Sequence, residues 1–262
     1  MKVQLINLLL FIFGPFFWIK CGEHLQYKGR WKQGRFNGYG HIKYSNGSSH
    51  SGLFCNGIKH GFGTFISSSG FKYSGDWQRG RQVGNACVCY KNGDVYHGEI
   101  VDGYRFGQGE LFCLASNRTY SGVWRKGTLI GECRIVDSNW LFEGNLHSFT
   151  GIGIGKLVYS NGDIYQGEIF NFKRCGFGKL ILASGKKITG KWTDLENVSQ
   201  AKMDYGGGIT LEGNIINFEP DGLIRITFPN GQTYTGLWED GNLLRALSSK
   251  FRSGRKPTYI LR

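Results

Sequence analysis

The chain has 262 residues, of which 42 are glycine, only 4 are proline and 15 % are aromatic. Those proportions exclude a collagen-like chain, a Pro/Gly linker and a disordered polypeptide, and point to a turn-rich β protein. With 32 Lys and Arg against 19 Asp and Glu, the formal charge of +13 suits acidic partners such as anionic lipid, nucleic acid or an acidic peptide, without choosing among them.

Residues 1–24 stand apart. From Val3 to Ile19 the chain is mostly apolar, with Lys2 before it. As a helix this stretch would reach about 25 Å at roughly 1.5 Å per residue, short of a bilayer core of about 30 Å but within the accepted range. Trp18-Ile19-Lys20-Cys21-Gly22 is a poor signal-cleavage site, lacking small residues before the cut. Lys20, Lys28, Arg30, Lys32 and Arg35 follow, opposed only by Glu23. The charge balance therefore predicts a membrane anchor that keeps the following residues cytosolic. The alternatives are a cleaved signal that sends the chain into the secretory pathway, or an apolar cap folded on the first repeat.

From Tyr27 onward the chain repeats. A glycine column runs Gly29, Gly52, Gly75, Gly98, Gly122, Gly144, Gly167, Gly190, Gly213 and Gly236, with spacings of 22 to 24 residues. Two places before each glycine stand Tyr27, His50, Tyr73, Tyr96, Tyr120, Phe142, Tyr165, Ile188, Leu211 and Tyr234. Two places after stand Trp31, Phe54, Trp77, Ile100, Trp124, Leu146, Ile169, Trp192, Ile215 and Trp238. Tyr-x-Gly-x-Trp puts three side chains on one face of a strand, because strand side chains alternate. A glycine between two rings leaves room for a neighbouring ring to lie over the backbone.

Each unit continues with a polar loop such as Lys32-Gln33-Gly34-Arg35. A second strand is predicted to start at a Gly-x-Gly such as Gly38-Tyr39-Gly40 or Gly61-Phe62-Gly63. The unit closes on Asn46-Gly47, Asn92-Gly93, Asn161-Gly162 or Asn230-Gly231, read as hairpin turns in which both residues take positive φ. The predicted fold is all-β: an elongated single-layer antiparallel meander, or solenoid, of about ten 23-residue hairpins over residues 25–242. Units six to nine depart from the pattern, with Phe149, Phe172, Leu195 and Phe218 where other units carry a mid-loop glycine. Residues 243–262 form a basic tail without an acidic residue, in which Arg245, Lys250, Arg252, Arg255 and Lys256 are candidate contacts for anionic lipid headgroups.

The pattern Tyr-x-Gly-x-Trp-x-x-Gly-x-x-x-Gly-x-Gly resembles the MORN (membrane occupation and recognition nexus) repeat. Tyr27 to Gly40 matches every marked position, and Tyr73 to Gly84 and Tyr96 to Gly109 match closely, with Ala86 and Ile100 as departures. The resemblance implies a scaffold with an aromatic-lined groove that binds a partner peptide or helix near a membrane, and in some members a homodimer. The candidate anchors are Tyr27, Trp31, Tyr73, Trp77, Tyr120, Trp124, Trp192, Tyr234 and Trp238, residue types that dominate binding hot spots. The alternative is a direct phospholipid-binding tether working through basic loops and the tail.

Catalytic signatures are missing from the sequence. The seven cysteines and six histidines are scattered, and Cys87-Val-Cys89 is not a metal-ribbon spacing, so no metal or cofactor is expected. There is no phosphate loop, nucleophile elbow or kinase signature set. Glu99 and Glu168 read as solvated carboxylates on the face opposite the rings. Asn46, Asn117 and Asn197 begin glycosylation sequons that turn composition alone also explains. No nucleic-acid module appears, which disfavours that partner. The expectation is a non-enzymatic binding protein.

Overall fold

The computed structural model describes residues 18–23 and 25–250, the last two by their backbone only. The apolar segment upstream of Trp18 lies outside the described residues, as do Arg252, Arg255 and Lys256. Among the described residues there are 21 strands and no helix. The first ten are β1 (Ile19–Lys20), β2 (Leu25–Lys32), β3 (Arg35–Tyr44), β4 (Ser49–Cys55), β5 (Ile58–Ile66), β6 (Lys72–Gln78), β7 (Arg81–Cys89), β8 (Val95–Val101), β9 (Tyr104–Cys113) and β10 (Arg118–Arg125). They are followed by β11 (Thr128–Val136), β12 (Trp140–Ser148), β13 (Ile152–Tyr159), β14 (Ile164–Phe170), β15 (Lys173–Ile181) and β16 (Lys187–Trp192). The last are β17 (Val198–Asp204), β18 (Thr210–Ile216), β19 (Glu219–Thr227), β20 (Thr233–Glu239) and β21 (Asn242–Lys250). The chain is an all-β antiparallel meander of hairpin repeats. β21 pairs with β20, so the meander continues into the stretch that charge alone marks as a tail.

The chain divides into two compact units, one running to Ile130 with Ile135–Ser138, the other comprising Gly131–Arg134 and the residues from Asn139. Within the first, every strand from β1 to β9 pairs antiparallel with its successor, and the glycines line up across the strands. Gly29 faces Gly40, Gly40 faces Gly52, Gly52 faces Gly63, and Gly63 faces Gly75. Ala86 stands once in the row, between Gly75 and Gly98, before Gly109 and Gly122 complete it. The second unit repeats the stripe from Gly144 through Gly155, Gly167 and Gly178 to Gly190. Ile224, facing Gly236, interrupts it in β19.

The stripe exists because rings lie on it. A Cβ at Gly40 would come within 2.6 Å of the Tyr27 ring, and one at Gly29 within 2.5 Å of the Gly40 Cα. Any larger residue at either position displaces the ring. The rings are correspondingly buried: Tyr27, Tyr73, Tyr96 and Tyr165 expose 0 % of their surface. Four ladder rings also meet an aromatic of the next hairpin edge to face. Tyr27 meets Phe54 at 5.7 Å, His50 meets Trp77 at 5.1 Å, Tyr96 meets Trp124 at 5.7 Å and Tyr165 meets Trp192 at 5.6 Å. Such pairs add about 0.5–1.5 kcal/mol beyond the area they bury.

Most second strands bulge opposite the residue that follows the column glycine: Gly29 and Trp31 face Gly40 and Phe36, Gly52 and Phe54 face Gly63 and Lys59, and Gly98 and Ile100 face Gly109 and Arg105. The bulge leaves carbonyls without a ladder partner. The tyrosine hydroxyl supplies one: Tyr27, Tyr73, Tyr96 and Tyr165 donate to the carbonyls of Arg30, Asp76, Glu99 and Glu168 at 2.7–3.0 Å. On the opposite face Glu99 Oε1 accepts from the Gln108 N–H and Glu168 Oε1 from the Phe177 N–H, at 3.3 and 3.1 Å. These carboxylates hold bulged backbone and are not merely solvated.

The turns correct the sequence reading. The polar loop shrinks to two residues, both at positive φ, as at Gln33-Gly34 (50° and 71°), Asn56-Gly57 (52° and 87°) and Arg79-Gly80 (50° and 82°). The second strand therefore begins directly after the turn, at Arg35, Ile58 or Arg81, ahead of the Gly-x-Gly. At Asn46-Gly47 only the glycine is at positive φ (85°). There Tyr44 N–H donates to Ser48 O and Gly47 N–H to Tyr44 O, which closes a three-residue loop instead of a two-residue one. Where the mid-loop glycine is replaced, Phe172 and Phe218 sit at φ 58° and 64°, positions that glycine fills without strain. Phe172 is held there by stacking on Trp140 at 5.3 Å.

Tyr165→Phe removes one hydroxyl that donates to both Glu168 O and Cys175 O at 2.9 Å. It is expected to lower stability by about 1–3 kcal/mol, read as a lower urea midpoint with an unchanged far-UV spectrum.

Candidate binding cleft

Six of the nine candidate anchors, Tyr27, Tyr73, Trp77, Tyr120, Trp124 and Trp192, are buried, and Trp31, Tyr234 and Trp238 are half-buried. The buried rings form the ladder's own packing. Three of the indole N–H groups are likewise engaged within the ladder. Trp77 donates to Gly63 O at 3.2 Å, Trp124 to Gly109 O at 2.9 Å and Trp192 to Gly178 O at 3.1 Å, each to the second glycine of a Gly-x-Gly on the preceding strand. Trp238 faces β19, where Ile224 takes that glycine's place, and its indole nitrogen is buried without a partner.

One of these anchors, Trp77, lines a cleft in the first unit. The cleft is about 500 Å³ and open to solvent, and is bounded by Lys59, Phe65, Trp77, Arg81, Gln82 and Asp102, with Gly80 and Gly103 at the turns. β5 supplies Lys59 and Phe65, β6 supplies Trp77, and the start of β7 supplies Arg81 and Gln82. The turns stack here, Gly80 N–H donating to Lys59 O at 2.9 Å and Asp102 N–H to Gln82 O at 3.0 Å.

The composition of this cleft follows from a position that sequence reasoning missed, the second residue after each two-residue turn. Phe36 occupies it in the first hairpin and stacks on Tyr27 at 3.9 Å with rings 15° apart. In three later hairpins a cation takes its place. Lys59 Nζ lies 4.5 Å from the Trp77 ring centre, 4.6 Å from Phe65 and 5.7 Å from Tyr44. Arg105 lies 4.5 Å over Trp124 and also donates to Gly127 O at 2.8 Å. Arg174 lies 4.9 Å over Trp192 and donates to Leu195 O. A Phe, Lys or Arg recurring two residues past a turn is the signal that would have exposed this column. Gln82 leaves its hairpin without either a ring or a cation, and that is where the cleft opens.

The electrostatics are unequal. Arg81 is paired with Asp102 at 3.2 Å on the exposed rim. The Lys59 ammonium has no ion pair or hydrogen-bond partner among the described residues, and burial pushes its amine down to about 8. Beside it His50 fills a tyrosine column. Burial first, then the Lys59 ammonium and His41, push its imidazole down to about 3, and neither ring nitrogen has a partner.

A second cleft, in the second unit, is about 630 Å³ and includes Arg174, Asp194, Glu196, Asn197 and Asn217. Its cation is already engaged, and Asp194 is held below the usual carboxylate range by the Glu196 N–H and then the Asn197 N–H. On the opposite sheet face the middle residues of the Gly-x-Gly motifs, including Tyr39, Phe62, Ile154 and Phe177, are exposed. Among the described residues no three His, Cys, Asp or Glu side chains converge to hold a metal. No described helix is long and apolar enough to cross a membrane. Of the candidate lipid contacts, Arg245 is exposed on β21, and Lys250 ends that strand opposite Thr233 of β20.

The MORN repeat family matches this chain at residues 27–49, 50–71, 73–95 and 165–187. Human ALS2 C-terminal-like protein is 49 % identical over 37 residues, which are 14 % of this chain and 4 % of that protein; the chain thus spans a small part of that relative's length. The solved TCP10 domain of Danio rerio CPAP, in complex with a peptide of Danio rerio STIL, is similar in fold. Its TM-score is 0.50 at 12 % identity, covering 82 % of this chain and 94 % of that one.

His50→Tyr restores the ladder residue and is expected to stabilise the chain by about 1 kcal/mol, its hydroxyl reaching the Leu53 carbonyl as Tyr27 reaches Arg30. In the parent the imidazole binds its proton near pH 6.5 when unfolded but only near pH 3 when folded. Stability must then climb with pH between about 3 and 6.5, by up to about 1.4 kcal/mol per unit, and level off above. The variant is expected to lose that component in urea titrations across pH.

Proposed function

We propose that this chain, a member of the MORN-repeat proteins, is a non-catalytic scaffold that holds a segment of a partner protein on the ladder face of its hairpins. The observation that carries this reading is the open cleft of about 500 Å³ walled by the half-buried Phe65 and by an edge of the otherwise buried Trp77. Within one unit, hydrogen-bonded strands with ring edges beside polar backbone suit an extended peptide whose side chains enter pockets. The Danio rerio neighbour, whose fold is similar, was solved with a peptide bound, which supports the same use of this sheet architecture.

The test fills the cleft. Gln82→Phe places a ring where Phe36 already stands over Tyr27 in the first hairpin, so the fold has a precedent for it. Peptides selected from a displayed random library on the intact chain are expected to bind the Gln82→Phe variant at least about tenfold more weakly, with no loss of melting temperature. Selection of no peptide above an unrelated β protein, or equal binding by the variant, would contradict the reading.

A further inference from the structure

The cleft contains a cation without a counter-charge among the described residues, and that fact says more about the partner than the aromatic walls do. We propose that the cleft selects an acidic segment, one Asp or Glu carboxylate entering from the open side to pair with Lys59 Nζ above Phe65 and Trp77 while a neighbouring apolar residue covers the ring edges. The inference rests on the reading that the ladder face binds a protein segment.

Three observations lead to it. First, Lys59 is drawn inward by the rings of Tyr44, Phe65 and Trp77 and has no anionic partner among the described residues. Ring faces attract an ammonium, but they replace its lost hydration only in part. Burial accordingly lowers its proton affinity, to about 8. A carboxylate in the cleft would supply the missing charge as a short charge-assisted hydrogen bond. Second, the corresponding cations are engaged, Arg105 with Gly127 O and Arg174 with Leu195 O, whereas Lys59 has no such acceptor. Third, the other charges around the cleft neutralise each other, Arg81 with Asp102. A lipid surface or a nucleic-acid backbone is recognised by several unopposed cations together. One free ammonium in a walled pocket matches a single carboxylate better.

The arrangement also fixes a pH dependence. A bound carboxylate favours the charged amine and raises the Lys59 pKa above its free value of about 8. Affinity should be full below that value, where the amine is charged before and after binding, down to the range of about 4 in which the peptide carboxylate itself takes up a proton. It should fall as pH rises through about 8 and flatten only above the raised, bound value.

The experiment uses the full chain with 13C-labelled lysine side chains and follows the Lys59 Cε resonance, identified by its loss in Lys59→Arg. The probes are a short peptide alternating Glu and Leu, the same peptide with Gln for Glu, and phosphatidylcholine vesicles with and without phosphatidylserine. The Glu peptide is expected to move the Lys59 resonance and its titration midpoint upward. Its binding should weaken about tenfold in Lys59→Met, which keeps an apolar stem against the rings, and should lose the decline above pH 8. Equal binding of the Gln peptide would overturn the acidic preference and leave segment binding standing. A Lys59 response to phosphatidylserine vesicles alone would overturn the choice of partner. Absence of binding by both peptides, together with failure of the library selection above, would remove the segment reading itself.

Discussion

An aromatic ring lying on two facing glycines is the contact from which the rest of this structure follows. Sheet strands stand about 4.8 Å apart, and a phenol settles most closely onto that surface where no Cβ projects, although Tyr73 is accommodated with Ala86 in one glycine's place. Tyr27 does so over Gly29 and Gly40, and the same geometry returns with Tyr96 over Gly98 and Gly109 and with Tyr165 over Gly167 and Gly178. Once the ring is down, its hydroxyl reaches the carbonyl left open by the bulge beside it, so one residue both packs the face and satisfies the backbone. The next hairpin's aromatic, Phe54 on Tyr27 or Trp124 on Tyr96, then closes on the ring's edge, and where it is Trp77, Trp124 or Trp192 it also binds a glycine carbonyl of the preceding strand. Each hairpin is too small to be stable alone; ring, glycine pair and tryptophan tie it to its neighbours.

The cleft follows from one column of that scheme. Two residues past each tight turn a side chain lies over the ladder, and its identity decides whether the face is closed or open. Phe36 closes it by stacking. Arg105 and Arg174 close it with cation–π contacts and a carbonyl bond. Gln82 does neither, and the adjoining Lys59 is left as a partly buried charge facing open space. The ladder is therefore most closed where its rings are most complete, and open where one column residue is neither ring nor cation.

Much of this was legible beforehand. A strict period near 23 residues, together with Tyr-x-Gly-x-Trp alternation, specifies hairpins with the rings on one face, because side-chain direction in a strand follows from parity alone. Parity does not reveal how far neighbouring rings cover one another: Tyr27, Tyr73 and Trp124 read as candidate anchors, and the structure buries them. The two turn types were also interchanged. Asn-Gly is a strong two-residue turn signal, but Ser45-Asn46-Gly47 has a third residue available and forms the longer loop, while sequences as plain as Arg79-Gly80 make the tight one. Phe172 and Phe218 show the opposite limit: a turn of fixed geometry persists without its glycine, in the case of Phe172 because its ring has Trp140 to stack on. Lys59 drew no attention because one lysine in a basic chain carries no pattern; only the rings around it in space distinguish it.

The ring-on-glycine contact can be measured in isolation by a double-mutant cycle on Tyr96 and Gly109. A Cβ at Gly109 would come within 2.6 Å of the Tyr96 ring, so Gly109→Ala should be destabilising by roughly 1–3 kcal/mol in the parent. In the Tyr96→Ala background, with the ring gone, the same substitution should change stability by only a few tenths of a kcal/mol, a coupling well above the additivity expected of independent sites. If Gly109→Ala is equally destabilising with and without the ring, the glycine serves the backbone alone and the ladder is not what organises the fold.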